Sequence, residues 1–90
     1  MRTLAYSGQF KRDIKRAGKR GKDMGKFKAL ARLILAGEPL PPRYKDHPLK
    51  GVWQGFRDVH IEPDWVLIYK PVGDVVRFER TGTHTDLFDE

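Results

Sequence analysis

Three histidines, His47, His60 and His84, fall in the second half of this 90-residue chain, in the segments YKDHPL (44–49), GFRDVHIEPDW (55–65) and FERTGTH (78–84). Asp58, Asp64 and Arg80 accompany them. An imidazole with an unperturbed pKa of ~6.5 both takes and gives a proton near neutrality. With carboxylates and an arginine nearby, the set has the residue types for acid/base chemistry on an anionic substrate. RNA cleavage uses these types well. The 2′-OH of RNA is its own nucleophile, so a base, a cation facing the phosphorane and an acid for the departing 5′ oxygen suffice without a metal. Phe88, Trp65 or Tyr44 could stack an unpaired base, a contact worth ~1–3 kcal/mol in single-strand binding. Trp53 and Trp65 read more readily as core residues than as stacking ones.

Metal chemistry fits less well. The histidines show no HxH or HExxH spacing and the chain has no cysteine, so neither a metal centre nor another cofactor is expected. Absence of cysteine suits a reducing compartment. The opening MRTLAYSGQFKRD lacks the apolar run of a signal peptide, and no stretch approaches the ~18 apolar residues of a membrane span. A cytoplasmic protein is expected, without membrane partners.

The net charge of +6 is unevenly distributed. Residues 1–46 hold 13 Lys/Arg against 4 Asp/Glu, whereas residues 47–90 hold 5 against 8. A basic half beside a half bearing acid/base groups suits a polyanion held by one part and processed by the other. The length allows one domain over residues 1–90.

The elements that must position these residues follow from capping and periodicity. Residues 2–6 read as a short strand. Ser7 is a helix N-cap, and Phe10, Ile14 and Ala17 place one apolar stripe on a helix over 8–19. Asp23 caps a second helix with Phe27, Leu30, Ala31, Ile34 and Leu35 on its apolar face, ended by Gly37 and Pro39. Residues 38–50 contain four of the six prolines and predict a long extended loop carrying His47. Residues 52–61 alternate, with Trp53, Arg57, Val59 and Ile61 on one parity and Phe56, Asp58 and His60 on the other. Trp65–Lys70 reads as a central strand buried on both faces, Val75–Thr81 as the last strand, and Thr83–Phe88 as a helical turn. The order β-α-α-β-β-β predicts an α+β fold, with two N-terminal helices on a mostly antiparallel sheet of about four strands. Strict alternation gives Arg80 the parity of Phe78 and Val76, which read as core. Arg80 joins the site only if both sheet faces are used or the strand bulges near it.

The stretches YSGQF, KRGKDM, LPPRYKDHPLKG, WQGFRDVHIEPDWVLIYK and RFERTGTHTDLF cover nearly the whole chain. They closely resemble the YafQ branch of the RelE superfamily of bacterial toxins, the mRNA interferases of toxin–antitoxin systems. HIEPDW followed by RFERTGTH carries most of the specificity. The resemblance implies a microbial RNase-like (RelE-type) fold and a ribosome-dependent endoribonuclease acting on mRNA in the ribosomal A site. It also implies inhibition by a small antitoxin protein. The basic first half makes an acidic antitoxin the expected partner, with the toxin monomeric when free and part of a larger complex when bound. Carried onto this chain, the family motif places His47, His60, Asp64, His84 and Phe88 in the active site. Arg80 becomes the phosphate-stabilising cation and His84 the general acid, with Trp65 and Asp58 in support. Two readings stand beside this one: a ribosome- or RNA-binding module without catalysis, and a metal-dependent hydrolase.

Overall fold

Ser7 and Asp23 start helices as their side chains allow. The computed structural model describes residues 1–89. Strand β1, Thr3–Tyr6, ends at Ser7, whose hydroxyl accepts from the Phe10 amide and opens helix α1, Gly8–Lys19. Asp23 accepts from the Gly25 amide at the start of α2, Met24–Ala36. Gly37 ends α2 in the left-handed region, at φ 73°, where glycine carries no Cβ penalty.

The expected long loop is more structured than its prolines suggest. It contains a single 3-10 turn, Pro42–Tyr44, and a two-residue strand β2, His47–Pro48. A second 3-10 turn, Gly51–Trp53, precedes strand β3, Arg57–Glu62. The alternation expected from Val52 therefore starts only at Arg57. Trp53 consequently leaves the parity of Val59 and Ile61 and packs edge-on against Phe56, with ring centroids 5.4 Å apart. Strands β4, Trp65–Val72, and β5, Val75–Gly82, follow, and a short helix α3, His84–Phe88, ends the fold.

Among the described residues the sheet has five strands in the order β1-β5-β4-β3-β2, rather than about four. The extra strand is β2, too short to show a period in sequence. Pairing is antiparallel except between β1 and β5, which run parallel. Phe10, Ala17, Leu30 and Ile34 of α1 and α2 pack on Val59, Ile61, Trp65, Leu67, Tyr69, Val76 and Phe78. On the opposite face Val66, Ile68 and Leu87 form a second cluster with Leu49, Trp53, Phe56 and Phe88. Strand β4 is thus covered on both faces, as its unbroken apolar run predicts. No helix of the described residues is long and apolar enough to cross a membrane.

Candidate active site

The face of the sheet away from α1 and α2 carries the ionisable groups. Residues paired across strands project to the same side. Register therefore aligns His47, Asp58, Ile68 and Arg80 in one row across β2, β3, β4 and β5, with His60, Val66 and Gly82 in the next. Arg80 enters this row through a bulge. Tyr69 pairs with Phe78 and Ile68 with Arg80, which leaves Glu79 as an extra residue in β5. One extra residue reverses side-chain parity. Phe78 therefore stays in the helix-side core while Arg80 joins the histidine face.

The imidazoles form an arc closed by an aromatic ring. Centroids lie 6.4 Å apart for His47 and His60, 5.2 Å for His60 and His84, and 6.2 Å for His84 and Phe88. Asp64, in the turn between β3 and β4, accepts on one oxygen from both the His84 backbone amide (2.9 Å) and His84 Nδ1 (2.6 Å). A carboxylate only accepts, so Nδ1 carries the proton and Nε2 is left for a substrate. These two donors, the backbone N–H first, hold the Asp64 pKa below its ordinary value.

His47 is positioned by its neighbours in sequence. Asp46 accepts from Arg57 Nε and Nη2 (3.1 and 3.3 Å) and from the Tyr69 hydroxyl (2.7 Å), which pegs the loop to the sheet. Lys45 adopts a left-handed conformation (φ 50°), and its carbonyl accepts from His47 Nδ1 at 2.8 Å. His47 Nδ1 also lies 3.0 Å from Asp58 Oδ1. That approach is an ion-pair distance rather than a hydrogen bond, because the Nδ1 proton is directed at Lys45. Buried Asp58 Oδ1 thus has no hydrogen-bond partner among the described residues.

Burial raises the Asp58 pKa, opposed by the charges of His47, His60 and His84. Burial lowers that of His60. Asp58 opposes this shift, while positive charge on His84, Lys45 and His47 adds to it. His60 therefore stays neutral to more acidic pH than a free imidazole, as a proton acceptor requires.

Arg80 is tethered from behind. Its Nε and Nη2 donate to Asp13 of α1 at 2.7 and 3.2 Å, and its side chain remains 23% exposed. Asp13 also accepts from the Thr81 amide, Gln9 and Arg16. Helix α3 is fixed comparably. Thr83 and Asp86 cap it reciprocally, and Arg20, the C-cap residue after α1, donates to Asp86 at 2.7 Å.

The structure thus brings His47, His60, His84, Asp58, Asp64, Phe88 and Arg80 to one face. Trp65 is the correction. It lies on the helix side, 1% exposed, and its indole N–H donates to the Thr81 hydroxyl at 3.0 Å. It packs the core beneath the site and offers no face to a base. Sequence reasoning missed Asp13, Asp46 and Asp86 as positioning residues. Asp13 left a signal, being the only carboxylate in residues 1–22 and lying on the Phe10–Ile14–Ala17 stripe. No group of three or more His, Cys, Asp or Glu among the described residues is arranged to hold a metal ion.

Gly82 links the last strand to α3 at very close range. A Cβ there would lie 2.8 Å from Asp86 Oδ2 and 2.9 Å from Asp86 Cβ. Asp86 cannot retreat without losing Arg20 and the Thr83 amide. Gly82→Ala should therefore displace α3 and His84, at a cost of ~1–3 kcal/mol for overpacking. Thermal unfolding and single-turnover assays should show lower stability and at least a tenfold loss of activity.

The α+β fold is one that solved bacterial toxins share. A family model described as "Bacterial toxin of type II toxin-antitoxin system, YafQ" matches residues 2–89, and the chain belongs to that family. It is 57% identical over 88 residues to the mRNA interferase toxin YafQ of Escherichia coli K12, spanning 97% of this chain and 96% of that one. It superposes on YafQ in the E. coli DinJ–YafQ complex with a TM-score of 0.91 at 56% identity, covering 98% of this chain and 99% of the other. A copper-bound mutant toxin from Helicobacter pylori gives a TM-score of 0.93 at 34% identity, covering 98% of this chain and 100% of that one.

Proposed function

We propose that this chain is the toxin of a type II toxin–antitoxin pair and cleaves translated mRNA in the ribosomal A site by metal-independent acid/base catalysis. The observation that carries the reading is the imidazole arc. Three rings stand in an arc on a single face, two with Nδ1 engaged, beside the buried Asp58 carboxylate, and strand register brings Arg80 to the same face. Neutral His60 takes the proton of the 2′-OH. The 2′ oxygen bonds to phosphorus, and the remaining N–H groups of Arg80 face the negative charge that develops there. The P–O5′ bond then breaks, and His84 in its doubly protonated form, its Nδ1–H held by Asp64, gives the Nε2 proton to the departing oxygen. Phe88 stacks a base beside His84, and His47 and Asp58 orient the ribose and phosphate.

The basic helices α1 and α2 suit both ribosomal RNA and an acidic antitoxin, and the reaction belongs in the cytoplasm, where translating ribosomes are. The E. coli relative is seen with the antitoxin DinJ. Binding a comparable acidic partner should raise the melting temperature of this chain.

The His60 environment makes a pH prediction. Its pKa is depressed, so the catalytic base remains competent below the ordinary value of 6.5. Single-turnover cleavage on programmed ribosomes should lose rate only below that value as pH falls. Chelator treatment of the purified protein, with the chelator removed before the protein meets the ribosomes, should leave the rate unchanged. An acid limb centred above 6.5 would contradict His60 as the base, and loss of activity after that treatment would contradict metal-independent cleavage.

A further inference from the structure

A groove of about 320 Å³ opens beside His60, lined by Arg43, Tyr44, Lys45, Ile61, Glu62 and Pro63. A second depression shares five of these residues and continues to Lys26 at the start of α2. The cleavage chemistry uses neither Arg43 nor Lys45.

Arg43 is exposed yet held. Its guanidinium carbon lies 4.7 Å from the centroid of the Tyr44 ring, and Nη2 donates to the Tyr44 hydroxyl at 3.0 Å. Tyr44 is itself buried in the helix-side core, so the platform is anchored. A guanidinium restrained over an aromatic ring is a preorganised stacking surface, and single-stranded RNA is commonly read by bases stacked on arginine planes. Lys45 adds a second cation to the rim. Glu62, the carboxylate lining the groove beside His60, is already paired with Lys22 and Lys26 at 3.4 and 2.9 Å, and the adjoining depression adds Asp23, the N-cap of α2. The rim therefore favours a phosphodiester over an acidic peptide only through its flat platform and its opening onto His60, and both features match a nucleotide.

We propose that this groove is an RNA subsite for the nucleotide adjoining the scissile phosphate, with its base stacked on Arg43 and its phosphate facing Lys45. The proposal rests on the ribonuclease reading and names where the strand lies as it leaves the imidazole arc.

Two measurements separate the subsite from that reading. In the first, isotope-labelled protein is titrated with a short oligonucleotide carrying a 2′-deoxy residue at the cleavage position, then with the same strand made abasic on either side. No turnover is needed. The Arg43 Nε–H and Tyr44 ring signals should shift with the intact strand and lose that shift for one abasic position. In the second, programmed ribosomes carrying the same abasic positions are cleaved by the wild type, Arg43→Ala and Arg43→Lys. One abasic position should slow the wild type by roughly tenfold, as loss of a stacked base implies. Both variants should be slowed on the unmodified message and indifferent to that position, because lysine keeps the charge and loses the plane. An Arg43→Ala variant as sensitive to the abasic position as the wild type overturns the subsite. So do Arg43 signals that respond to an acidic peptide and not to RNA. Failure of the wild type to cleave unmodified message would instead overturn the ribonuclease reading, while the titration still decides the subsite.

Discussion

His84→Ala is expected to lower single-turnover cleavage on programmed ribosomes by about 10²- to 10⁴-fold, the usual contribution of a general acid or base. The leaving 5′ alkoxide is a poor leaving group and needs a proton as its bond to phosphorus breaks. His84 is suited to supply it because Asp64 occupies Nδ1 at 2.6 Å and the capped start of α3 fixes the backbone. The side chain is one-third exposed and belongs to neither apolar cluster. The melting temperature should therefore change little, which separates lost chemistry from lost structure. Asp64→Ala and His60→Ala should follow in severity, and His47→Ala should be milder. A near-wild-type rate in the His84 variant would remove the general-acid assignment.

Asp13→Ala should have the largest effect on stability. The Asp13 side chain is fully buried and receives donors from Arg80, the Thr81 amide, Gln9 and Arg16. Removing it strands a partly buried guanidinium and the Thr81 backbone N–H, which lies past the end of the β1 pairing. Breaking a buried pair by deleting one partner costs ~3–5 kcal/mol. For a domain this small, each kcal/mol lowers the melting temperature by ~4–8 °C, so a fall of well over ten degrees is expected. Burial by itself would raise the Asp13 pKa, but the hydrogen bonds from Arg80, Gln9 and Thr81 and the charge of Arg80 outweigh it, leaving it lowered. A depressed carboxylate contributes stability that is present above its unfolded value of 3.8 and lost as pH falls through the folded value. Denaturant titrations should show this acid-limb dependence in the wild type and its reduction in Asp13→Asn. Equal stabilities at neutral pH would show that the pair is dispensable.

Local signals in the chain were enough for most of the scaffold. Ser7, Asp23 and Gly37 bound the two helices, and the apolar run after Asp64 reads directly as a doubly covered strand. Alternation also places Asp58 and His60 together on the face that carries the imidazole arc. What could not be read depended on long-range partners. The Glu79 bulge is invisible to alternation because it is defined by the register of β4 against β5. Strand β2 consists of two residues and exists only through its pairing with Asp58 and Arg57. Trp65 could not be assigned to a base or to the core, because its indole partner, Thr81, is distant in sequence. Asp13 was legible only as an oddity, a carboxylate on an apolar stripe, with no hint that Arg80 lies against it.

The central claim is that the 2′-OH of the message, activated by an imidazole without metal, is the nucleophile. End-group analysis of the two fragments tests it most directly, after purified protein previously stripped of metal by chelator acts on programmed ribosomes. Attack by the 2′ oxygen and departure of the 5′ oxygen leave a 2′,3′-cyclic phosphate on the upstream fragment and a free 5′-hydroxyl on the downstream one. Those ends are expected within the A-site codon, and only when ribosomes are present. A 3′-hydroxyl paired with a 5′-phosphate would mean that water attacked instead, and would contradict the claim.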